Sequence, residues 1–148
     1  MILSDYKDFQ RQGRILGVDW GQRRCGIAIS DEKRDFVFVR PQINIKNQQE
    51  LLASILSISK EEKVVGIVIG LPLHADGSDS QTTKMVREFA DMLANNTELP
   101  ILFIEENLTS ATAEEEIGHK NIVKLKKELD SLSAKIILEN AIAMLKRN

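Results

Sequence analysis

Four apolar residues, Ile15-Leu16-Gly17-Val18, run directly into a carboxylate, Asp19, and this junction constrains the fold more than any other feature of the chain. The run reads as a buried strand, so Asp19 stands where a core residue would be expected. Burying a charged carboxylate is costly unless it is hydrogen-bonded, paired or bound to a cation. A glycine-flanked turn follows at Trp20-Gly21-Gln22, then a second apolar strand from Gly26 to Ile29. A carboxylate at a strand–turn junction with bare backbone beside it is a candidate metal or phosphate site.

The rest of the chain frames that junction. At 148 residues it is long enough for one domain with a full-sized core, read as residues 14–148 behind a polar N-terminal extension, 1–13. A net charge of −2 does not announce a nucleic-acid binder, nor does it exclude one, since a basic patch can sit on an acidic protein. The single cysteine, Cys25, forms no internal disulfide and suits a reducing compartment. No apolar stretch approaches the roughly 18 residues of a spanning helix, and Met1 to Gly13 has no signal-peptide core. The class these properties favour is a cytoplasmic enzyme or binding module with no membrane partner.

Residues 15–19 and 25–30 read as a hairpin, and Phe36-Val37-Phe38-Val39 as a third strand ended by Pro41. Asn47 can cap a helix to about Lys60, with Leu51, Leu52, Ile55 and Leu56 on one face. Val64 to Ile69 has the unbroken apolar character of a strand covered on both faces. Ser78 or Ser80 can cap a helix carrying Met85, Phe89, Met92 and Leu93. Ile101 to Ile104 is another strand, running into Glu105 and Glu106. Thr109 starts a helix to about Ile117, a basic segment follows from Lys120 to Lys127, and Asp130 or Ser131 opens the last helix. The order β-β-β-α-β-α-β-α-α predicts an α/β fold with a mixed sheet and helices on both faces.

Asp19 and Glu106 each follow an apolar strand. In an open α/β sheet such strand ends meet at one edge, where ligands bind. With Asp130 they would suit one or two hard cations, Mg²⁺ or Mn²⁺, and two such ions about 3.5–4 Å apart serve phosphodiester hydrolysis. Each acid also has a plainer reading: Asp19 as a turn stabiliser, Glu105 and Glu106 as solvated acids, Asp130 as a helix N-cap. Arg23 and Arg24 in the first turn could contact phosphates or simply decorate a hairpin tip. Lys120, Lys124, Lys126 and Lys127 form a basic cluster that tracks a nucleic-acid backbone or is a solvated helix face. His74 and His119 lack metal-ligand spacing, and no Walker loop, nucleophile elbow or dinucleotide fingerprint is present.

Four segments together resemble the YqgF family, also called RuvX. They are Gly17 to Asp31; Ile67 to Leu73 with Asp76-Gly77-Ser78; Glu105 to Ser110 with Ala113-Glu114; and Asp130 to Glu139. They stand in the family's order and cover about residues 14–145. The resemblance implies an RNase H-like fold with a mixed five-stranded sheet. It implies three metal-binding and catalytic acids, Asp19, Glu106 and Asp130, holding Mg²⁺ or Mn²⁺. Arg23, Arg24, Lys124, Lys126 and Lys127 would then contact nucleic acid. The implied activity is a nuclease on structured RNA, processing the 5′ end of pre-16S rRNA in ribosome biogenesis, with pre-ribosomal particles as partners. Holliday-junction resolution on branched DNA is the alternative. The family's Asp-Glu-Arg reads Glu105-Glu106-Asn107 here, so a phosphate-binding cation is missing at Asn107.

Two rivals come from other classes. Asp19-Trp20-Gly21 and its hairpin also look like the first phosphate loop of actin-like ATPases and sugar kinases, but those need two such domains and a second glycine-rich loop. A catalytically silent nucleic-acid-binding module is the other, and the presence of all three acids argues against it. A resolvase must make two symmetric cuts and needs a two-fold dimer. A precursor trimmer can act alone, and a monomer is expected.

Overall fold

The computed structural model describes residues 1–106 and 122–147, and the side chains of 122–131 are outside the described set. Five strands, β1 (Ile15–Asp19), β2 (Arg24–Ser30), β3 (Val37–Asn44), β4 (Gly66–Leu71) and β5 (Ile101–Glu105), form one sheet in the order β3-β2-β1-β4-β5. β2 runs antiparallel to β1 and β3, whereas β1, β4 and β5 are parallel. Parallel neighbours need crossovers, and the helices α1 (Gln48–Glu61) and α2 (Gln81–Ala94) supply them. A third helix, α3 (Ile122–Lys146), closes the chain.

Local chemistry sets the helix starts. The Asn47 side chain accepts the Glu50 N–H at 2.8 Å and caps α1. Ser80 and Thr83 make a reciprocal capping box at the start of α2. Leu51 and Ile55 of α1, with Phe89 and Leu93 of α2, pack on Leu16, Val18 and Trp20 of one sheet face. Ala134, Ile137, Leu138, Ala141 and Ile142 of α3 pack on Ile15, Ala28, Val68, Leu102 and Ile104 of the other. The mixed sheet with helices on both faces is therefore as the sequence pattern predicts.

Four expectations change. Pro41 does not end the third strand, which continues to Asn44. β3 is an edge strand, and its register shifts opposite Cys25–Ile27, so the missing N–H leaves no central ladder broken. The last helix begins at Ile122, not at Asp130 or Ser131, because the basic segment is itself helical. β4 starts two residues later than expected and ends at Leu71. The N-terminal residues do not stand off as a polar tail: Ile2 bridges Ile101, Leu3 N–H donates to Ile101, and Phe9 is buried against Gly66. The expected helix from Thr109 to Ile117 lies outside the described residues.

Helix α3 lies against β1 and β4 at two positions that lack side chains. A methyl at Gly17 would sit 2.9 Å from Leu138 Cβ and 3.2 Å from the Ala134 carbonyl oxygen. A methyl at Gly70 would sit 2.5 Å from Ile137 Cδ1. Gly17→Ala should therefore force α3 outward and cost about 1–3 kcal/mol. Urea unfolding checks this; a midpoint unchanged from wild type would show that the helix does not sit this close.

Candidate active site

Strand alternation decides where the acids point. Ile15 and Gly17 face α3, whereas Leu16, Val18 and Trp20 face α1 and α2. Asp19 therefore falls on the α3 side at the C-terminal end of β1. Glu105 ends β5 exposed, but Glu106 is half-buried, and its N–H donates to the carbonyl of Leu71, the last residue of β4, at 3.1 Å. Gly70 gives Glu106 its place: a methyl there would lie 2.7 Å from the carboxyl carbon. The Asp19 and Glu106 side chains meet in a hydrogen bond. Two carboxylates can do that only if one of them carries a proton.

Burial pushes the Glu106 carboxyl up to about 7, only partly offset by its hydrogen bond to Asp19. Such a pair binds either a proton or a cation between its oxygens. Its donor set, hard carboxylate oxygens at a strand edge, fits a divalent ion of the Mg²⁺ or Mn²⁺ kind. A solvated acid does not describe Glu106, whose carboxyl is half-buried against Asp19.

The third expected acid stands differently. Asp130 is in the backbone of α3, eight residues past its first residue and four before Ala134, which packs under Gly17. A helix-capping role does not apply there. Its side chain, like those of Lys124, Lys126 and Lys127, is outside the described set, and so is Asn107. Among the described residues no three His, Cys, Asp or Glu side chains converge. Arg23 and Arg24 lie in the turn and first β2 position that follow Asp19, on the same edge, with Arg23 exposed and Arg24 half-buried. Sequence reading passed over Gly17 and Gly70 as site residues. The only signal was a glycine inside each of two apolar strands, which marks close approach.

A family model described as RuvX, Holliday junction resolvase, matches residues 13–144. The chain belongs to the RuvX family. A relative from Maridesulfovibrio salexigens, named as a candidate pre-16S rRNA nuclease, is 42% identical over 88% of this chain and 98% of its own. One of the same name from Rickettsia canadensis is 31% identical over 99% of both chains. The fold is similar to that of T. thermophilus RuvC in complex with a Holliday junction substrate, with TM-score 0.58, 10% identity and coverage of 91% and 96% of the two chains. The fowlpox virus Holliday junction resolvase matches at TM-score 0.53 and 15% identity over 91% of this chain and 99% of that one. At these identities the structural likeness establishes the fold: an RNase H-like sheet of five strands in this RuvX-family chain.

The shared proton has a sign that can be checked. A folded-state value above the ordinary carboxylate value means that the folded state holds this proton more tightly than the unfolded chain. Its stabilisation is full below about pH 4.5 and is lost as pH rises through about 7. Chelator-treated protein should thus lose on the order of 2–3 kcal/mol between pH 5 and 8 through this group. Glu106→Gln, which keeps a donor but cannot ionise, should flatten that fall. Thermal melts across the range check it; identical slopes in the two proteins would remove the buried pair.

Proposed function

We propose that this RuvX-family protein is a divalent-metal-dependent nuclease that hydrolyses phosphodiester bonds in structured RNA, acting on the 5′ end of the pre-16S rRNA precursor. The observation that carries the reading is the half-buried Glu106 carboxyl beside Asp19 at the C-terminal edge of parallel strands. Family membership and the names of the relatives support it. No helix among the described residues is long and apolar enough to cross a membrane. In this reading the protein works in the cytoplasm, as a monomer, on RNA free or within pre-ribosomal particles.

Asp19 and Glu106 would hold Mg²⁺ or Mn²⁺ together with Asp130, the acid that the family motif places in α3. Bound there, such ions lower the pKa of water and stabilise the leaving oxygen of the cut phosphodiester. Asp19 sits on the strand most enclosed by its neighbours and fixes one side of the site. Glu106 is anchored by its backbone bond to Leu71, and the gap at Gly70 makes room for its carboxyl beside Asp19. Arg23 and Arg24 supply charge for the flanking phosphates, and Lys124, Lys126 and Lys127 precede Asp130 on α3, where they would follow the backbone onward. In a resolvase reading the same edge would have to be duplicated by a two-fold partner.

Purified protein with Mg²⁺ or Mn²⁺ should cleave a labelled precursor RNA, and EDTA should stop it. Asp19→Asn keeps the shape and removes a charge, so it should abolish cleavage while leaving metal-free stability equal or higher. Wild type at a Mg²⁺ concentration about 100 times the dissociation constant should gain about 2.7 kcal/mol, a rise in Tm of roughly 5–10 °C, and the variant should lose most of it. Cleavage that persists in EDTA, or an active but destabilised Asp19→Asn, would refute the assignment.

A further inference from the structure

At the edge of the sheet opposite the acids lies a second pocket, of about 410 Å³, at the N-terminal end of β1 and the C-terminal end of β2. Its lining includes Lys7, Arg11, Lys33, Arg34 and Lys146, with Tyr6 beside them. Among the described residues no carboxylate lines it. Five cations line one concavity, while the acids of the same turns, Asp5, Asp8, Asp31, Glu32 and Asp35, stand outside its lining.

The pocket is built, not merely decorated. Arg34 is 4% exposed; its guanidinium donates to the Gly13 carbonyl at 2.9 Å and to the Gln10 carbonyl at 2.6 Å, and it stands over the Phe9 ring at 6.0 Å. That clamp fixes the 10–13 segment, from which exposed Arg11 projects. Arg34 itself takes the left-handed backbone, φ 60°, which closes the turn carrying exposed Lys33. The Asp31 carboxylate tightens the same turn by accepting the Asp35 and Phe36 N–H groups at 2.9 and 2.8 Å. On the other wall, Asp5 accepts the Lys7 N–H at 3.0 Å and holds the short turn that displays Lys7. Lys146 is tied only loosely, to Asp35 at 3.4 Å, with both side chains more than half exposed.

Helix α3 connects the two sites. Asp130 and Lys146 are separated by sixteen residues of helix, roughly 24 Å at 1.5 Å per residue. Resting on the nuclease reading above, we propose that this far-edge pocket is a second phosphate-binding site, which grips the sugar–phosphate backbone of the RNA about 24 Å from the cleaved bond. Lys7, Arg11 and Lys33 make the contacts, and Arg34 is a positioning residue. The pocket would anchor long substrates without touching the reacting atoms.

The test uses full-length protein in EDTA and two labelled RNA hairpins, with stems of about five and about twenty base pairs. Even at the roughly 3.4 Å per step of B-form DNA, which exceeds the rise of an A-form RNA stem, about five pairs fall short of the gap, whereas about twenty exceed it at the smaller rise too. The triple variant Lys7→Ala/Arg11→Ala/Lys33→Ala should bind the long hairpin more weakly. The log–log salt slope should fall by about 2–3, at roughly 0.7–0.9 per lost contact. Binding and Mg²⁺-dependent cleavage of the short hairpin should match wild type, which also shows that the variant folds. Lys7→Arg/Lys33→Arg should retain long-hairpin binding. Equal affinity and slope of wild type and triple variant for the long hairpin would overturn the second site while leaving the nuclease reading intact. An equal loss on both hairpins would also overturn it, since the contacts would not be distal. Wild type that neither binds nor cleaves either hairpin would overturn both readings, and the pocket would fit an acidic protein partner instead.

Discussion

Helix α3 can lie on the sheet only because two positions on the central strands carry no side chain. Gly17 and Gly70 leave the room that Leu138, Ile137 and the Ala134 carbonyl occupy. The same gap at Gly70 admits the Glu106 carboxyl. One steric allowance thus does two things: it seals the α3 face of the core, and it draws an acid into a partly dry corner beside Asp19. The raised affinity of Glu106 for a proton follows from that enclosure. Fold stability and site chemistry here pull against each other, because the packing that stabilises α3 makes the acid pair costly to ionise.

The sheet's connectivity explains why acids from distant parts of the chain meet. Antiparallel β1–β2 needs only a tight turn, which keeps Arg23 and Arg24 next to Asp19. Parallel β1–β4–β5 pairing aligns the C-terminal ends of three strands, so residues following β5 arrive beside residue 19. Helix α3 then runs from that edge towards the opposite one, ending at the cluster of cations formed by the N-terminal turn and the β2–β3 turn.

Much of this was legible in the sequence, for identifiable reasons. Asn47 and Ser80 have the side-chain oxygens that satisfy a helix start, and they do so. Leu51 and Ile55 of α1 and Phe89 and Leu93 of α2 are buried as their spacing predicts, whereas Leu52, Leu56, Met85 and Met92 are half-buried at the margin of the same core. Pro41 misled because a missing N–H matters in a central strand but little at an edge, and edge position is a tertiary property. The start of α3 was missed because a lysine-rich run reads as solvated loop or helix alike. The anchoring of Phe9 could not be seen, since its pocket is made by Gly66, far along the chain. Asp19 and Glu106 were marked by charge at the end of apolar runs, whereas the enclosure that raises Glu106 required the placement of Gly70 and α3. The far-edge pocket was invisible for the same reason: its cations come from three separate segments.

The central claim is that Asp19 and Glu106 share a proton that a divalent cation displaces. Calorimetric titration of the chelator-treated protein with Mg²⁺, in buffers of different ionisation enthalpy, counts the protons released on binding. With Glu106 titrating near 7, the account predicts release of about half a proton per protein at pH 7, rising to about 0.9 at pH 6 and vanishing in Glu106→Gln. Mg²⁺ binding with no proton release at either pH would contradict it.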